Sequence, residues 1–150
     1  MELIHLMSIA IELQPPALLG SFPAGERRLM PFRSGTFSGG GGLRGTVEPG
    51  GVDWQTVLGD GTIEIRAHYL LTTDDGDPIE VVSEGVRVAA PDVTARLMAG
   101  GAVDPGEYYF RTAIRLGTSS ARWDRLNRII CVGTGERGRG DVTIHVHEVT

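Results

Sequence analysis

Lysine is missing from this chain: all 14 of its basic residues are arginine. That excludes a Schiff-base mechanism and the lysine anchor of pyridoxal phosphate. Cysteine is nearly missing. The lone Cys131 lies in the apolar run Ile129-Ile130-Cys131-Val132, so no intrachain disulfide forms, and the thiol reads as a buried core group rather than a nucleophile. Neither G-x-S-x-G nor S-x-x-K occurs, which removes the common serine-nucleophile templates. No segment approaches the roughly 20 apolar residues of a membrane-spanning helix, and the first residues carry no cationic region. A net charge of −5 and a pI near 5.3 argue against a nucleic-acid partner. A reduced, cytoplasmic setting with no membrane partner is the expectation.

What is present is an ordinary globular composition, 41% hydrophobic and 22% charged, over 150 residues. That length fits one domain, residues 1–150, able to bury a core. The dominant period is two. Leu3, His5, Met7, Ile9, Ile11 and Leu13 fall on one face of a first strand, which Pro15-Pro16 ends. Short strands are expected at Arg27–Phe32 and Thr46–Glu48, separated by glycine. The longest runs from Thr62 to Thr73, where Ile63, Ile65, Ala67, Tyr69 and Leu71 oppose Glu64, Arg66, His68 and Leu70. Asp74-Asp75-Gly76-Asp77 is a turn, and Ile79–Val88 returns beside it. Strands at Tyr108–Leu116, Arg128–Val132 and Val142–Val149 complete the set. Asp92 is placed to cap a short helix over Val93–Ala99, ended by Gly100-Gly101. Thr118 or Ser119 is placed to cap a turn that carries Trp123 and Leu126. About seven or eight strands with hairpin-length links form an antiparallel sheet whose edges need closing. An all-β fold is expected: a single closed antiparallel β-barrel with one or two short helices, a sandwich being the alternative.

The residues that carry chemistry are few. Gly40-Gly41-Gly42-Leu43-Arg44-Gly45 matches G-x-G-x-x-G, but Thr46-Val47-Glu48-Pro49-Gly50 follows and cannot open the helix that phosphate binding needs. Tight turns are the better use of these glycines. His145 and His147 share a face of the last strand, with His68 a conceivable third ligand. They lack further partners at ligand spacing, so no metal site is expected. Asp53-Trp54 follows the Gly50-Gly51 turn; a carboxylate against an aromatic wall has a raised pKa suited to acid–base work. The plainer alternative is that Asp53 caps the turn while Trp54 fills the core. Tyr109 and Arg111 share one strand face and could clamp a carboxylate or enolate, or equally lie on a solvated face.

In order along the chain stand Gly25-Glu26-Arg27-Arg28 to Pro31, Gly35-Thr36-Phe37-Ser38-Gly39, Gly45-Thr46-Val47 and Pro49-Gly50-Gly51-Val52-Asp53-Trp54-Gln55. Leu71-Thr72-Thr73-Asp74-Asp75-Gly76, Gly85-Val86-Arg87, Tyr109-Phe110-Arg111-Thr112 and Trp123-Asp124-Arg125-Leu126-Asn127 follow. This series resembles the bacterial domain of unknown function number 3237 family over nearly the whole chain. The resemblance implies a small β-barrel akin to the allene oxide cyclase type, whose members include cofactor-free cyclases. It favours Asp53, Trp54, Tyr109 and Arg111 as the site. One departure is His68, where the family pattern has an arginine before the tyrosine of the central strand.

The expected function is that of a cofactor-free isomerase or cyclase acting on an apolar, carbonyl- or carboxylate-bearing metabolite inside the barrel. Asp53 would be the acid/base and His68 an alternative base. Tyr109 and Arg111 would clamp the substrate, and Trp54 and Trp123 would wall it off. The alternatives are a binding module without turnover, or a structural protein with a filled barrel and a homo-oligomeric surface. The sites would meet around one cavity only if the polar face of strand 62–73 points inward; Ile63, Ile65 and Tyr69 have an equal claim.

Overall fold

The computed structural model describes residues Met1–Thr150. The period of two governs it: 61% of the chain is strand. The strands are β1 (Leu3–Leu13), β2 (Ala17–Phe22), β3 (Gly25–Gly39), β4 (Arg44–Val47), β5 (Val52–Val57), β6 (Ile63–Thr73), β7 (Pro78–Ala89), β8 (Tyr108–Gly117), β9 (Ile130–Arg137) and β10 (Asp141–Val149). All ten belong to one antiparallel sheet that closes on itself. Strands β6 to β10 form a meander, β10 pairs with β1, and β1 pairs with β3. Between β3 and β6, β4 and β5 lie end to end as one interrupted stave. β4 spans Gly35–Ser38 of β3 and Leu71–Thr73 of β6, and β5 spans Glu26–Pro31 and Ile63–His68. The result is an eight-stave closed barrel, and β2 is a flap hairpinned onto the first part of β3.

Burial alternates without a break along β6. Ile63, Ile65, Ala67, Tyr69 and Leu71 point inward, and Glu64, Arg66, His68 and Leu70 point out. Water sets this facing: the apolar series occupies the interior and the charged series stays hydrated. On β8 the same rule sends Tyr108, Phe110, Thr112, Ile114 and Leu116 inward. The Asp74–Asp77 link is the expected tight turn, with Gly76 at φ 88°.

The strand expected at Arg27–Phe32 extends to the 15 residues of Gly25–Gly39, because Gly35 does not break it. A Cβ there would stand 2.1 Å from the Ala10 carbonyl oxygen, so glycine is what lets β1 pair so closely. The expected helix is α1 (Pro91–Met98); Asp92 sits in its first turn rather than at the cap, which is Ala90, and Pro91 opens it. Gly100, at φ 75°, ends it. The segment with Trp123 and Leu126 forms a 3-10 turn over Asp124–Arg128 with no Thr118 or Ser119 cap on it. After Gly40–Gly42, also a 3-10 turn, comes a strand and not a helix.

The two ends of the barrel differ. One is packed solid: Met7, Leu43, Leu71, Ile79, Val81, Ile114, Cys131 and Val146 are each at most 1% exposed. At the other, α1 lays Val93 and Leu97 against the core and partly shelters a mouth.

Candidate functional site

A cavity occupies the α1 end. Eleven of its 17 lining residues are hydrophobic, so the few polar groups among them stand out. Asp53, Gln55, Ser83, Arg87, Thr112 and Arg137, together with the hydroxyl of Tyr69, face an interior otherwise made of residues such as Phe32, Ile63, Ile65 and Phe110. The cavity volume is about 40 Å³, room for a few water molecules.

Asp53 lies on the inward face of β5 and is 8% exposed. Its Oδ2 accepts from Gln55 Nε2 at 2.7 Å and its Oδ1 from the Arg66 backbone N–H at 3.0 Å. Gln55 Oε1 in turn accepts from Arg28 Nε at 2.7 Å, so the amide is fixed between a cation and an anion. Burial pushes the Asp53 pKa up; these hydrogen bonds and the charges of Arg28 and Arg87 oppose the rise without cancelling it. Tyr69 is wholly buried, and burial followed by the Asp53 charge raises its pKa also. The Tyr69 hydroxyl and Thr112 Oγ1 have no hydrogen-bond partner within the protein. Both therefore have unmet bonding capacity inside the barrel.

Outside the cavity, and sharing Met30, Arg87 and Arg137 with it, is a basin of about 370 Å³. Arg28, Arg137 and Arg139 line it beside Arg87, with the end of α1 (Leu97–Met98) and the Gly138–Gly140 turn.

Of the six side chains the sequence points to, only Asp53 reaches the cavity. Trp54 is 42% exposed on the outer wall, where the Arg27 guanidinium lies 5.2 Å from its ring centroid. His68 is outside as well, its Nε2 2.7 Å from Glu80 Oε2. Tyr109 is 53% exposed, with Arg111 stacked on it at 5.0 Å. The shared face of Tyr109 and Arg111 is real, and it is the outer one, because Tyr108 and Phe110 are the more apolar pair and take the interior. Trp123 packs at the solid end, with Arg122 over its ring and its indole N–H buried without an acceptor. The structure thus does not gather these residues at one site. His145 and His147 also face outward. His145 Nδ1 is 2.8 Å from Ser8 Oγ and its Nε2 is 3.3 Å from Glu136 Oε1. No group of three or more His, Cys, Asp or Glu side chains is placed to hold a metal ion.

Sequence reasoning missed Gln55, Tyr69, Arg28, Arg87 and Arg137. A usable signal existed for two of them: Gln55 lies two residues from Asp53, and Tyr69 belongs to the apolar series of β6.

The family described as "Protein of unknown function (DUF3237)" matches residues 1–149. A UPF0311 protein of Rhodopseudomonas palustris is 32% identical over 149 residues, covering 99% of this chain and 97% of its own. The crystal structure of a conserved protein of unknown function from that organism superposes with a TM-score of 0.95 at 32% identity, over 99% of this chain and 97% of the other. A β-barrel-like protein of Acinetobacter baumannii gives 0.86 at 34% identity, over 99% and 96% of the two chains. An enzyme from Penicillium herquei shares the fold at a TM-score of 0.71 and 24% identity, over 99% and 94%. No helix of the chain is long and apolar enough to cross a membrane.

Proposed function

We propose, for a chain that belongs to the DUF3237 family of proteins of unknown function, that the barrel encloses a small, largely apolar carbonyl compound and isomerises or cyclises it without a cofactor. The observation that carries this is Asp53: an 8%-exposed carboxyl group in a mainly apolar cavity that two hydroxyls without partners also line. Burial raises its pKa above the ordinary carboxylate value, which makes it a stronger base than an exposed aspartate, the direction acid–base catalysis needs. In this reading Asp53 removes a proton from the carbon beside the carbonyl and returns it at another position. Tyr69 or Thr112 donates a hydrogen bond to the carbonyl oxygen as negative charge develops there. No atom is gained or lost, so no co-reactant is required. The fold admits catalysis, since an enzyme from Penicillium herquei is built on it. The buried free Cys131 fits a reducing, cytoplasmic setting.

A second reading is ligand carriage without turnover. It is favoured by one detail: both Asp53 oxygens already accept hydrogen bonds. The two are separated by incubating the protein in D2O with 4-oxopentanoate and longer straight-chain oxo acids and following deuterium incorporation beside the ketone by NMR. Catalysis predicts exchange that Asp53→Asn slows by about 100-fold or more. Binding with no Asp53-dependent exchange across the set establishes carriage instead.

A further inference from the structure

Three guanidinium groups, those of Arg28, Arg87 and Arg137, come together at the barrel mouth, and Arg139 lines the same basin. The one buried carboxylate near them is Asp53, and its oxygens are taken by Gln55 and the Arg66 amide. Arg28 is held by Gln55, and Arg137 by the carbonyl oxygens of Gly138 and Asp141. Arg87 is different. It is 6% exposed, borders both cavity and basin, and donates to no acceptor in the protein. Burial and the charges of Arg137 and Arg28 push its pKa down to about 10, which leaves it charged at neutral pH.

Buried charges are normally paired, and an unpaired one is destabilising. The fold does not need a cation here: position 87 is cross-strand from Ile63 and Phe110, where an apolar side chain would pack. The excess positive charge is open to a basin and continuous with an apolar shaft.

We infer that the basin receives an oxyanion, a carboxylate or phosphate group of an amphiphilic ligand, with Arg87 as its principal partner and Arg28 and Arg137 flanking it. The apolar body of that ligand enters the cavity past Phe32 and Ile63 toward Tyr69. This inference rests on the reading that the barrel takes a small molecule, and it narrows that molecule to an anion whose charged end stays at the mouth while its reactive part reaches Asp53.

The test is calorimetric titration at low salt with hexanoate, hexyl phosphate, inorganic phosphate and uncharged hexanol. At least one of the two charged amphiphiles binds about tenfold or more tightly than hexanol, and Arg87→Gln abolishes that advantage. Arg111→Gln, on the outer wall, leaves it unchanged. Should Arg87→Gln fail to fold, Arg137→Gln reports on the same basin and weakens the same titrations. Hexanol binding as tightly as both charged amphiphiles overturns the inference, as does a folded Arg87→Gln that keeps full affinity. The comparison of hexanoate with hexyl phosphate assigns the anionic group. Inorganic phosphate binding as tightly as hexyl phosphate overturns the amphiphilic ligand. Asp53→Asn removes a negative charge that acts on Arg28, Arg87 and Arg137, so it binds the charged ligands at least as tightly as wild type; loss of oxo-acid exchange in that variant with anion binding retained or strengthened bears on the acid–base reading alone.

Discussion

Along β7 the inward side chains change from Ile79 and Val81 to Ser83 and then Arg87, while the opposing positions of β6 change from Leu71 to Ile63. The same staves therefore build a solid end and a hollow one. Each end buries a charge. At the solid end it is Glu148, and Arg125 from the Asp124–Arg128 turn forms an ion pair with it. At the hollow end there are two, Asp53 and Arg87, and they do not meet in an ion pair: the Asp53 oxygens are taken by Gln55 and the Arg66 backbone N–H. A barrel that needed only to be stable would treat the two ends alike. The difference teaches that stability is concentrated at one end, and that the other keeps polar groups whose bonding is incomplete within the protein.

The largest effect expected is at the solid end. Leu71→Ala, at a site with 0% exposure, should destabilise the fold by about 2–5 kcal/mol in urea titration, the usual range for a core cavity that cannot collapse. A loss well under 1 kcal/mol would mean the solid end is not the source of stability. Gly135→Ala should come next, at about 1–3 kcal/mol, as an overpacked core does. A Cβ at Gly135 would lie 2.5 Å from the Phe110 ring, so Phe110→Leu should recover part of the loss in the double variant.

Asp53→Asn tests the hollow end through pH. The folded-state pKa of Asp53 is raised, so the folded protein holds that proton more tightly than the unfolded chain does. Its contribution to stability is then fully present below the unfolded value of about 3.9 and is lost as pH rises through the folded value. Thermal melting as a function of pH should show wild type losing stability relative to Asp53→Asn over that window; parallel curves would contradict the raised pKa. The smallest effect belongs to Thr112→Val. Its Oγ1 is buried without a partner, so removing it should be neutral or stabilising by up to about 1 kcal/mol. A cost similar to that of Leu71→Ala would erase the contrast between the two ends.

Much of the barrel was legible because water enforces alternation wherever one face of a strand is strongly apolar. Ile63 to Leu71 is such a strand, and the Asp74–Asp77 turn after it is equally plain. Glycine obscured the rest. Gly35 reads as a break and is instead a contact point with β1. The site was legible only at Asp53. β7 explains why: one of its faces carries Val81, Ser83, Gly85 and Arg87, the other Val82, Glu84 and Val86. Neither is clearly the apolar one, so hydrophobicity alone does not send Arg87 inward. On β8 both faces begin with tyrosine, and Arg111 drew the eye to the outer one.

The seam between β1 and β10 joins the first of these ten strands in chain order to the last. Strands β3 to β9 can pair in the order of synthesis, but the circle stays open until residues 141–149 emerge. Up to that moment β1 and β9 each present an unpaired edge to other nascent chains. Contacts between such distant segments slow folding and prolong that exposure. A chain truncated before β10 is therefore expected to aggregate through these two edges rather than to persist as a soluble, seven-staved fragment, and helpers that hold unfinished chains would matter more to its yield than to that of a helical protein of equal length.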